Sequence, residues 1–192
     1  MNKFLLALLF PFIFYSFSNA EDIRDFEIEG ISIGNNFTKT LSKSQIKNNV
    51  LPYFENTRKY YIVGMNNNLE NYDQVEVYLK TNDNNYSVRA VIGGIFISDL
   101  DQCMKKKSEI VSDIDQIFTT VKKRSGKKKH EADPSGNSMH YIDQYDLNFP
   151  NHIRVECTQF SKEMINSGMA QNSLNVVVMT EEINDWVYSG YK

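Results

Sequence analysis

Histidine occurs three times and cysteine twice in this chain of 192 residues, and neither type clusters. His130, His140 and His152 are scattered, and none belongs to an H-E-x-x-H motif. No set of cysteines or carboxylates has metal-ligand spacing, so neither a metal nor a cofactor is expected. A basic excess is also lacking. The chain has 21 Lys and Arg against 24 Asp and Glu, a net charge of −3, which argues against a nucleic-acid partner. Beyond the first 20 residues no apolar run approaches the roughly 20 residues that span a bilayer, so no membrane span is expected there. No segment repeats at a fixed period and no linker-like stretch divides the chain, which excludes a solenoid and points to one domain.

What is present begins at the N-terminus. Lys3 is the only charge before Glu21, and the apolar run Phe4 to Phe17 contains Pro11. Ser18-Asn19-Ala20 then puts small residues at the −3 and −1 positions of a cleavage site. A positive start, a short apolar stretch and a small-residue site define a secretory signal. Residues 1–20 are therefore expected to be a signal peptide, and residues 21–192 a single domain that is periplasmic or secreted. No cysteine adjoins the site, so no lipid anchor is expected. Loss of Lys3 would make the domain one charge more acidic. The wealth of Asn, Lys, Ile, Tyr and Phe is what an AT-rich bacterial genome produces, so Asn66-Asn67-Asn68 needs no special role. Asn36-Phe37-Thr38 and Asn85-Tyr86-Ser87 match the glycosylation pattern, which is empty in a bacterial chain.

Periodicity gives the elements. Gln74 to Lys80 alternates strictly, with Val75, Val77 and Leu79 on one side, as a half-buried strand does. Tyr60 to Met65, Tyr86 to Ile97, Met139 to Leu147, His152 to Phe160 and Asn172 to Thr180 also read as strands, and Asp25 to Ile33 reads as an opening one. Gly93-Gly94 suggests a bulge or bend. Phe37 to Val50 reads as a helix, closed by Pro52. The longest helix runs from Asp99 to Lys122, with Ser98 as N-cap and an apolar stripe that includes Cys103, Ile110, Ile114, Ile117 and Phe118. Gly126 to Ser138 reads as a polar loop, and a last helix starts near Thr180. Strands joined by short polar turns imply antiparallel pairing. The expectation is an α+β fold of about six mainly antiparallel strands, with the long central helix and the C-terminal helix packed on one face.

Both cysteines point at the same layer of that fold. Cys103 lies on the helix stripe, and Cys157 shares the inward side of its strand with Ile153 and Val155. An oxidising compartment then favours a Cys103–Cys157 disulfide.

Three candidates for function emerge. Gly30-Ile31-Ser32-Ile33-Gly34 matches the G-x-S-x-G elbow of serine hydrolases, which makes Ser32 a candidate nucleophile. Few residues precede it, strands and helices do not alternate, and no histidine has an acid three residues earlier. Both glycines can equally serve a turn. The basic run Lys127, Lys128, Lys129 and His130 could dock an anionic ligand, or could be a solvated loop. Tyr78, Tyr86, Tyr141 and Tyr145 could share a sheet face suited to sugar or peptide, or could simply favour strands.

The opening Asp25-Phe26-Glu27-Ile28-Glu29-Gly30-Ile31-Ser32-Ile33-Gly34, followed by Gln45-Ile46-Lys47, resembles a group of uncharacterised small secreted proteins of low-GC marine alphaproteobacteria. The resemblance implies export and a shared fold, with a cysteine near the start of a later helix, as Cys103 is here; it implies no activity. The I-x-x-G turn before a helix is also similar to that of outer-membrane assembly lipoproteins, whose lipid-bearing cysteine this chain lacks. Two functional classes follow. One is a non-enzymatic envelope module that binds a protein or anionic ligand. The other is a small serine hydrolase using Ser32.

Overall fold

A computed structural model describes residues 22–52, 59–147, 151–168 and 170–190. The expected signal peptide lies outside the described residues. The chain order is α1 (Lys43–Asn48), β1 (Tyr60–Met65), β2 (Gln74–Lys80), β3 (Val88–Phe96), α2 (Leu100–Ile117), β4 (Lys122–Lys129), β5 (Met139–Leu147), β6 (Asn151–Gln159), α3 (Lys162–Asn166), β7 (Ser173–Thr180) and α4 (Glu181–Gly190). The seven strands form one antiparallel sheet in the order β1-β2-β3-β7-β6-β5-β4. Helix α2 carries the chain from the middle of the sheet to its far edge, and β4 to β7 then return strand by strand to pair with β3.

Period-two alternation divides the side chains between two faces. On the first face Val75, Val77, Val91, Leu174, Val176, Val178, Ile153 and Val155 form a core under α2. The N-terminal segment adds Ile28, Ile31, Ile33 and Phe37 to the same core. On the second face α4 packs Ile183 and Trp186 against Tyr60, Tyr78, Val177 and Met179. The helices therefore flank the sheet on both sides, whereas the sequence suggested one.

The disulfide joins Cys103 of α2 to Cys157 of β6, with 6.0 Å between Cα atoms. It bolts the helix to the middle of the sheet, and closing a loop of 54 residues contributes about 4 kcal/mol in the chain-entropy treatment.

Four boundaries differ from the sequence reading. Residues 25–33 are not a strand: Glu29 (φ 52°) and Gly30 (φ 71°) both sit in the left-handed region and fold Ile28 back onto Ile31 in a tight turn. Residues 37–50 split into a 3-10 turn, Phe37–Lys39, and α1, because Ser42 and Gln45 make a capping box there. Helix α2 is capped by Asp99, whose carboxylate accepts from the Gln102 N–H at 2.8 Å, and it stops at Phe118. The largest difference is at residues 122–129, which form strand β4 and raise the strand count to seven.

Candidate functional site

The sequence candidates land in different places. Ser32 is 3 % exposed, inside the N-terminal plug of the first face, and its Oγ accepts a hydrogen bond from Asn35 Nδ2 at 2.6 Å. Among the described residues no histidine hydrogen-bonds to it. The glycines around it serve the backbone: Gly30 and Gly34 both have positive φ. Neighbouring Glu29 ties the turn down, because its carboxylate accepts from the N–H groups of Glu70 and Asn71.

The four tyrosines do not share a face. Tyr78 lies under Trp186 on the second face, Tyr141 and Tyr145 lie on the first, and Tyr86 precedes β3. The Tyr145 hydroxyl donates to Asp115 at 2.8 Å.

The basic run is a strand, so its side chains alternate. Lys127 and Lys129 pair with Tyr141 and Met139 and share their face, while Lys128 pairs with His140 and points to the opposite one. Only His130 belongs to the loop, and that loop is rigidly built. Asp133 accepts from the N–H and hydroxyl groups of both Ser135 and Ser138, which hold its carboxyl far below the usual carboxylate range. The Asp-Pro-Ser-Gly turn thus fixes where His130 leaves β4.

The structure brings three of the four residues of this run together with residues the sequence did not single out. Helix α4 covers the second face only over β1, β2, β3 and β7. Beside it, over β4 to β6, lies a cleft of about 160 Å³. Its floor carries His140, Ile142, Arg154 and Glu156; Val187 and Tyr188 of α4 form one wall, and Lys128 to Ala132 the other.

The polar groups in this cleft are partly committed. Lys128 Nζ lies 2.8 Å from Glu131 and 4.6 Å from the centre of the Tyr188 ring. Partial burial works against its charge, but the bonds to Glu131 and Tyr188 outweigh it and raise the pKa. His130 stacks on His140 with 4.9 Å between ring centres, and His140 Nδ1 lies 2.9 Å from Thr158 Oγ1. Burial lowers the pKa of both rings, which favours their neutral form. Arg154 Nε lies 3.0 Å from Glu156 Oε2, yet it is buried without a hydrogen bond of acceptable geometry.

Such a site sets two cations, Lys128 and Arg154, each beside a carboxylate, around the apolar side chains of Ile142 and Val187, with two stacked imidazoles between them. It is smaller than the roughly 300–1,000 Å³ of a drug-sized pocket. It therefore suits a small molecule, or the tip of a larger one. Among the described residues no group of His, Cys, Asp and Glu could hold a metal ion, and no helix is long and apolar enough to cross a membrane.

Sequence reasoning missed Arg154, Glu156, His140 and Tyr188. The β5–β6 hairpin would have placed three of them. Once β5 and β6 are paired antiparallel, Ile142 falls opposite Glu156 and His140 opposite Thr158. Tyr188 gave no such signal, because the face covered by α4 is set only by tertiary packing. The chain matches no family model, no curated protein and no solved structure.

Proposed function

We propose that the chain is an exported, non-enzymatic binding module that takes a small anion, or the anionic tip of a larger envelope partner, in the cleft beside α4. The observation that carries this reading is Arg154. Its guanidinium lines the cleft, with the Nε buried 3.0 Å from Glu156 Oε2 but outside hydrogen-bond geometry. An incoming carboxylate or phosphate would meet the fork of that guanidinium from the cleft side. Lys128 adds a second cation. Its pair with Glu131 has both side chains nearly half exposed, so little is lost when an anion displaces it. The leader-like N-terminus and the Cys103–Cys157 bridge support export, since such bridges persist in oxidising compartments. Nothing in the surroundings of Ser32 favours the hydrolase alternative, because its hydroxyl is buried and engaged by Asn35.

The test is a native mass spectrum of the protein expressed with its own leader and recovered from the periplasm. The expected species is residues 21–192, two hydrogens light, with an additional bound anion that Lys128→Ala releases. Retention in the cytoplasm with the leader intact would contradict export. A bare protein that takes up neither acetate nor phosphate would contradict the cleft assignment.

A further inference from the structure

We propose that β4 is a docking edge for an extended acidic segment of a protein partner, which joins the sheet as an additional strand. The two edges of the sheet are treated differently by the chain itself. Strand β1 is covered: the Leu51 N–H donates to the Ile62 carbonyl at 2.8 Å, and the Gly64 N–H donates to the Asn49 carbonyl at 2.9 Å. Strand β4 is exposed at all eight positions, and no described residue pairs with its outer side. An open edge offers a row of backbone donors and acceptors to an incoming strand.

Charge selects the occupant. Six of the eight side chains of β4 are cations. Lys123, Arg124 and Lys128 are matched by Asp115, Asp146 and Glu131. Lys122, Lys127 and Lys129 have no ion pair among the described residues. A second copy of the chain would set β4 against β4, lysine against lysine, which opposes pairing. A strand rich in carboxylates has the complementary charge.

Shape adds a seat. Gly126 leaves a hollow of about 210 Å³ bordered by Arg124, Lys128, Ile142 and Gln144. A Cβ added at Gly126 would meet nothing within 4 Å. An apolar side chain of the incoming strand can rest there on Ile142.

Lysines on an edge also guard against aggregation, and that role requires no partner. The two roles separate in one experiment. The full chain is titrated with an eight-residue peptide of alternating Glu and Val, and separately with its Lys-Val counterpart, and amide hydrogen exchange is followed. The expected result is slowed exchange along β4 with the acidic peptide only, weakening as salt is raised. Charge reversal by Lys127→Glu with Lys129→Glu should weaken the acidic peptide at least tenfold and admit the basic one. Exchange at β5 reports whether that variant is folded. Gly126→Val, which leaves the charge unchanged, should also weaken binding by filling the seat. Absence of protection at β4, or equal protection by both peptides, would overturn the proposal and leave the lysines as guards.

Discussion

The two faces of the sheet are built to different standards. Under α2 the first face is closed. Val75, Val77, Ile153, Val155, Leu174, Val176 and Val178 are essentially inaccessible, a disulfide pins the helix, and the buried cation Lys107 is paired with Asp143. The second face is closed only where α4 lies on it; beyond Val187 it carries His140, Arg154 and Glu156, part buried and part open. Polar groups are costly to bury unless paired, so the imperfectly paired ones beside this opening are what the proposed ligand would meet. In the proposed reading the first face sets stability and the second binds.

Substitutions should therefore act differently on the two faces. The largest stability loss is expected from Cys103→Ser or Cys157→Ser, about 4 kcal/mol by loop entropy. Thermal unfolding under oxidising conditions would show a drop of about 10 °C. Wild type that ignores reductant would break the first half of the comparison. Lys107→Met should cost about 3 kcal/mol, since it leaves the largely buried Asp143 carboxylate with only the Ser125 hydroxyl as partner. Replacing Asp143 by Leu in the same chain should restore most of that loss in urea unfolding.

The second face gives a pH dependence. His152 is buried on β6, and burial followed by the Arg154 charge pushes its pKa down to about 4. In the unfolded chain the value is about 6.5, so between these limits the unfolded state binds more protons. Stability is complete above pH 6.5 and should fall by about 2–3 kcal/mol as pH drops to 4. His152→Gln should flatten that slope in urea titrations at fixed pH. The smallest stability effect, under about 1 kcal/mol, is expected for Lys128→Ala, whose exposed pair contributes little. The same variant should lose anion binding, and a change in stability without a change in binding would reverse the assignment of the two faces.

The first face was readable from sequence because it obeys alternation. In strands β2, β6 and β7 every second residue faces that core, and the same rule put Cys103 and Cys157 in one layer. Strand β4 was not readable, because an edge with both sides in water needs no apolar periodicity, and its lysines read as a loop. The opening segment failed for the opposite reason. Ile28, Ile31 and Ile33 are buried as in a strand, but consecutive positive φ angles at Glu29 and Gly30 turn the chain within four residues. Glu156 and Arg154 were hidden by the same alternation that revealed Val155, since the polar side of a half-buried strand looks solvated until a helix is placed beside it.

The most direct test of the second face as the binding face is a two-dimensional NMR titration of the oxidised full chain with acetate and with inorganic phosphate at constant ionic strength. Saturable shifts centred on Lys128, His130, His140, Arg154 and Tyr188, with the core under α2 unmoved, are the predicted result. Shifts that never saturate, or that centre on the Gly30 to Gly34 turn, would contradict it.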